Sequence, residues 1–189
     1  QLVRFGGDLS VGAYGIANGI AMVFIMFVFG INQGMQPIAS RSYGSGDAEN
    51  TGKIFRYAVI ALLGTAAVIY GIVFLFASPI TSVFNSENDM QLQKIAEEGL
   101  KLYFLAVPFV GFNIVSAMFF TSTERAFPAQ MISVLRGLVV IIPAAFILSA
   151  VFERQGVWLS YPVTEGIVTI FAVCVLLKSA GRKPGTEKA

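Results

Sequence analysis

The sequence predicts an all-α integral membrane protein built as a bundle of about five transmembrane helices. Three observations carry that prediction. Of its 189 residues 56% are hydrophobic and only 13% charged, against roughly a quarter charged in an ordinary soluble domain, and the mean hydropathy is +0.73. The charges cluster so that five stretches are almost free of them, and each suits the roughly 20 residues a helix needs to cross hydrocarbon, the fourth only if it starts near Pro128. The loops between those stretches share Lys and Arg unequally.

Taken in order, the spans cover about 11–40, 57–78, 101–123, 129–151 and 157–178. The fourth takes Arg136 into the membrane, and the fifth is interrupted only by Glu165. Residues 1–10 read as the end of an extracellular connection from a helix further upstream, because the chain opens at Gln1 rather than Met and runs straight into "LVRFGGDLSVGAYG", which looks like a helix-to-helix connection. Threading the spans alternately puts Arg41, Lys53, Arg56, Arg125, Lys178, Arg182, Lys183 and Lys188 on one side. The other side has Arg4, Lys94, Lys101 and Arg154. By the positive-inside rule the tail, 179–189, is cytoplasmic and the protein a multi-pass component of the plasma (inner) membrane. The opposite side carries the acidic "SENDMQLQKIAEEGLK", in which Leu92, Ile95 and Leu100 predict a short interfacial helix.

Several function classes drop out. There is no histidine, and Cys174 is alone inside a span, so no disulfide framework, zinc site or catalysis by His or Cys is expected. The chain reads as a non-enzyme. "RSYGSGDAENTGK" lacks the preceding strand and the G-x-x-x-x-G-K-[ST] spacing of a phosphate loop. A net charge of +2 is accounted for by the loops, which leaves the lipid bilayer, not nucleic acid, as the expected partner.

Within the first span the amides of Asn32, Gln33 and Gln36 sit in an apolar run, where each costs several kcal/mol, about 2 to 7, if unsatisfied. At about 100° per residue, Asn18, Met22, Met26, Gln33, Gln36 and Ser40 share one side, with Phe29 the apolar exception. Pro37 rotates the last turn. Gly15, Gly19, Gly30 and Gly34 form a separate stripe suited to close helix approach. Two readings of the amides stand: hydrogen bonds to a packed helix, or the wall of a water-filled cavity made adaptable by methionine.

Glu165 has Tyr161 and Thr169 a turn away on the same face. A carboxylate at depth must be protonated, paired or wetted. It is a candidate proton or cation site, with reach to the headgroups or a bond to a neighbouring helix as the alternative. Arg136 either snorkels or clamps backbone carbonyls, and Pro143 two turns on is a kink or hinge. Asn113 and Ser116 share a face of the third span, as cavity wall or as helix glue.

"GINQGMQPIASRSYGSGD" resembles the end of a helix in the C-terminal lobe of multidrug and toxic compound extrusion (MATE) transporters, where "QG.QP" precedes "YG.G". "LVRFGGDLSVGAYGI", "PITSVFN", "SVLRGLVVIIPAAFIL" and "GVWLSYPVTEGI" follow the family pattern in order. The resemblance implies most of the C-terminal six-helix lobe of a twelve-helix transporter, whose N-terminal lobe and one further helix would lie upstream. It also implies export of lipophilic, often cationic, drugs by antiport with Na+ or H+, and no other cofactor. The cavity residues would be Asn18, Met22, Met26, Gln33, Gln36 and Asn113. Family members that bind the cation in this lobe carry acidic residues on its first and fourth helices; here 101–123 has no carboxylate, and Asn113 stands in its place. Coupling is therefore expected in the N-terminal lobe or at Glu165 with Tyr161. The alternatives are a flippase for lipid-linked oligosaccharides, which needs a more basic cavity, and a non-transporting assembly module using the glycine stripe.

Overall fold

Asp47 and Asp89 are the punctuation from which the helices can be read. Gly46, at φ +77°, turns the chain after the first helix, and Asp47 then accepts from the Asn50 N–H to cap the second. Thr51 donates to Ser42 across that turn at 3.1 Å and ties the two ends together. Asp89 accepts from the N–H groups of Gln91 and Leu92 in the same way. A computed structural model describes residues 2–85 and 88–180. Its helices are α1 (Leu2–Gly44), α2 (Ala48–Leu75), α3 (Ala77–Phe84), α4 (Met90–Phe104), α5 (Val107–Ser122), α6 (Ala126–Val134) and, after a π-turn at Leu135–Val139, α7 (Ile141–Ala180). Glu87 of the acidic loop and the tail 181–189 lie outside the described residues.

This is a multi-pass membrane bundle. Among the described residues four stretches, Leu9–Gly44, Ala48–Leu75, Ala126–Glu153 and Gln155–Ser179, are long and apolar enough to cross a bilayer. A fifth is the pair α4 and α5, bent by 43°. Pro108 in the first turn of α5 brings no N–H to continue the α4 ladder, which accounts for a bend there. The helix expected at an interface is thus half of this pair, and it buries Ala96, Gly99, Leu100, Tyr103 and Phe104 against the bundle. Chain reversal inside α7 occurs at Glu153, φ +51°, where the last two spans meet. Gly156 is required beside it, because a Cβ there would strike the Leu148 carbonyl.

α5 is the central helix, in contact with α1, α2, α6 and α7. The face α1 turns inward is a row of small and apolar residues, Ala13, Ala17, Ala21, Phe24, Val28, Met35 and Ala39. The glycine stripe does not serve packing within this bundle: a Cβ at Gly15, Gly19, Gly30 or Gly34 would meet nothing within 4 Å. Alanine supplies the close approach instead, since its methyl fills the seam without the backbone freedom that glycine brings. Between helices, close glycine contacts are Gly99 against the Trp158 ring and Gly111 against Leu62. Outward-facing Leu75, Phe127 and Leu177 are exposed, as expected where lipid is the solvent.

Candidate functional site

Among the described residues, the interior of the bundle contains one charged constellation, assembled from three elements. α5 contributes Asn113, α7 contributes Glu165 and Thr169, and the π-turn contributes Arg136. Glu165 is 1% exposed and Asn113 fully buried. Arg136 donates from Nη2 and Nε to Glu165 Oε1 at 2.8 and 3.1 Å. Asn113 Nδ2 donates to Glu165 Oε2 at 2.7 Å and to the Glu165 backbone carbonyl at 3.0 Å. Thr169 in turn donates to Asn113 Oδ1 at 3.1 Å.

Every carboxylate oxygen therefore has a donor, and the pair is electrically neutral. An isolated charge at this depth would cost several kcal/mol, and a partner with good geometry is what makes burial tolerable. Glu165 is bonded to two neighbouring elements, as the helix-bond alternative has it. Arg136 is not a snorkelling residue; it turns inward. Pro143 contributes to that: lacking an N–H, it cannot bond the Val139 carbonyl, and the helix widens there, with the Val140 N–H reaching Leu135 at 2.9 Å. The irregularity expected at Pro143 thus appears in the turn before it.

Tyr161, one turn from Glu165, stacks on Tyr103 of α4 with centroids 4.7 Å apart. Tyr103 meets Tyr14 of α1 edge-on at 5.7 Å, and Tyr14 lies 5.7 Å from Trp158. An aromatic column thus runs from the ion pair to the α1–α4–α7 seam.

The remaining predicted residues divide. Asn18, Met22, Met26, Gln33 and Gln36 are exposed along one side of α1. Asn113 parts from them: it faces α7 inside the bundle and does not share their open face. Phe29, the apolar exception on that face, lines a groove of about 510 Å³ together with Ile114, Met118, Gln130, Ser133 and Arg136. Sequence reasoning missed this meeting of Phe29 and Arg136, although Phe29 falls among the polar positions. Asn32 was grouped with the other amides by its neighbours, but it is 1% exposed and neither of its amide atoms has a hydrogen-bond partner. Ser116 Oγ is likewise buried without one.

The cluster is poorly suited to caging a metal ion. Its candidate ligand oxygens are engaged by Arg136, Asn113 and Thr169, and among the described residues no group of three or more His, Cys, Asp or Glu converges.

A family model described as MatE matches residues 2–147. The chain belongs to the MatE family. Multidrug export protein MepA of Staphylococcus saprophyticus is 22% identical over 170 residues, 90% of this chain and 37% of that relative. The FAD transporter of Shewanella oneidensis is 21% identical over 165 residues, 85% of this chain and 35% of the relative. A solved structure described as the outward-facing conformation of a multidrug resistance MATE family transporter of the MOP superfamily superimposes with a TM-score of 0.87 at 17% identity, covering 95% of this chain and 41% of the other. The chain thus spans little more than a third of these curated relatives, and its bundle has the fold of part of one lobe of a MatE transporter.

Proposed function

We propose that this chain forms most of the C-terminal lobe of a secondary transporter that exports lipophilic, often cationic, compounds in exchange for H+ or Na+. The observation that carries the reading is the open face of α1, where Met22, Met26, Gln33 and Gln36 are exposed beside Phe29 and the groove that Arg136 borders. Methionine and amide side chains give a soft, adaptable wall for substrates of varied shape. Family membership and the name of the MepA relative support the same reading. An N-terminal lobe would close the other side of the cavity, in the plasma membrane, with the C-terminus of this chain in the cytoplasm. Glu165, with Tyr161 beside it, is the coupling candidate in this lobe. The flippase alternative is weaker, because Arg136 is the sole charge lining the groove and is already neutralised by Glu165.

The test is efflux by the full-length protein with Gln33→Ala and Gln36→Ala at matched expression. Each loses a polar contact of about 0.5–1.5 kcal/mol, so transport of lipophilic cations should weaken about two- to tenfold. Unchanged efflux and resistance in both variants would remove these residues from the cavity.

A further inference from the structure

The turn that ends α5 ties Arg125 back to the helix it leaves. Glu124 takes the left-handed conformation, φ +59°, its N–H donates to the Thr121 carbonyl, and the Arg125 N–H donates to the Phe120 carbonyl at 2.8 Å. This cap is one that glycine usually closes. It holds Arg125 beside a cavity of about 540 Å³ that runs between the start of α2 and the end of α7. Both helices pack on α5, and the gap between them is walled by Phe55, Phe119, Leu176 and Leu177. Phe55 and Phe119 meet with ring centroids 4.5 Å apart, and Leu177 is exposed, so the cavity has an aromatic wall and opens on the outside of the bundle.

Among the described residues Arg125 is the only charged group in that lining, and its guanidinium has no carboxylate partner. The acidic groups nearby are placed elsewhere: Asp47 accepts from the Asn50 N–H, Glu49 pairs with Lys53, and Glu124 is exposed outside the lining. The hydroxyls of Tyr43 and Ser179 also line the cavity. This is the end of the bundle where Arg41, Lys53, Arg56 and Lys178 collect as well, the end expected to face the cytoplasm.

We propose that the cavity binds an anionic phospholipid of the leaflet at that end, with an acyl chain between α2 and α7 and the phosphate on Arg125. The site shares no residue with the Glu165 cluster or with the exposed polar row of α1, so it lies apart from the export path. The acyl chain supplies shape and little selectivity, because lipid is already the solvent and burying a tail gains nothing from water. Selection falls to the headgroup. A guanidinium donates paired bonds to phosphate oxygens, and a zwitterionic head brings a cation that Arg125 repels. Basic pockets between spans on the cytoplasmic side take anionic headgroups for the same reason. The chain's own "GRKPGTEKA" is a poor occupant, since it has no large apolar side chain for the slot and three basic residues that Arg125 would repel.

The experiment adds dioleoyl phosphatidylglycerol or dioleoyl phosphatidylcholine to the delipidated full-length protein and follows bound lipid by native mass spectrometry. The two share their tails, so any difference reads the headgroup. The wild type should hold phosphatidylglycerol about three- to tenfold more tightly. R125Q should lose that preference and bind phosphatidylcholine as before. K53Q, beside the cavity but outside its lining, should keep the preference. Gly52→Leu puts a side chain into the cavity from a position where a Cβ meets nothing within 4 Å, and should weaken both lipids without disturbing the fold. Equal retention of the two lipids by the wild type, a preference that survives R125Q or falls as far in K53Q, or undiminished binding in Gly52→Leu would each overturn the proposal. Displacement of phosphatidylglycerol by glycerol 3-phosphate at the same concentration would also overturn it, by making this a site for a soluble phosphate.

Discussion

Two regions of this lobe put polar side chains at membrane depth, and they handle the cost in opposite ways. In the α5–α7 cluster, Asn113, Glu165 and Thr169 are tied to one another and to Arg136, so that each carboxylate oxygen is bonded. Along α1, Gln33 and Gln36 are exposed, and Asn32 is buried without a partner. The first region fastens three elements and its loss should be felt throughout the bundle. The second contributes little to holding these helices together, so any function it has depends on contacts beyond them.

The contrast is broken most severely by removing one half of the ion pair. Arg136→Leu strands a carboxylate that is 1% exposed, and losses of about 3–5 kcal/mol are usual for such a change. Glu165→Leu should cost less, about 1–3 kcal/mol, because Arg136 already touches the groove and can turn its guanidinium there. Unfolding of the full-length protein in detergent would rank them, and Arg136→Met with Glu165→Met should lose much less than the sum of the single changes. Equal and additive losses would mean that the pair is not coupled.

The bundle and its spans were legible because charge is expelled from hydrocarbon whatever the packing, so gaps between charges mark helices. On α1 the 3.6-residue period puts Met22, Met26, Gln33 and Gln36 on one face, and all four are exposed, but it did not show that Phe24, Val28 and Met35 form the packed face. Pairing was not legible. Arg136 and Glu165 are separated by a span and a half of sequence, and their meeting depends on a π-turn that shifts the helical phase by one residue. A period cannot report its own interruption. Of the two readings of Asn113, the bonds to α7 match the helix glue, and the sequence could not choose because its residue type suits a cavity wall as well as a carboxylate partner. The glycine stripe says nothing of the packing within this bundle, because small residues permit close approach without requiring it.

That last point yields the next test. Gly99→Ala places a methyl against the Trp158 ring, a bulky neighbour in a packed seam, and should cost about 1–3 kcal/mol. Gly19→Ala meets nothing within 4 Å and should be neutral or gain up to about 1 kcal/mol from the better helix former. Thermal midpoints of the two full-length variants compare them directly. A large loss at Gly19 would place another helix on the stripe, which is where an assembly partner or the remaining part of a transporter would pack.

The smallest effect is the most discriminating. Asn32→Leu replaces two unpartnered buried amide atoms by methyl groups of similar volume, so stability should stay level or rise by about 1 kcal/mol. Asn113→Leu has the same chemistry on the neighbouring helix but strips bonds from Glu165 and Thr169, and should lose about 1–3 kcal/mol. A segment outside these helices cannot easily satisfy Asn32, because at 1% exposure there is almost no surface through which to reach it. If Asn32→Leu nevertheless fell as far as Asn113→Leu, the α1 seam would have to open in the full-length protein to admit a partner. The two regions would then differ only in where the partner comes from, and α1 would be a moving element of the lobe instead of its fixed wall.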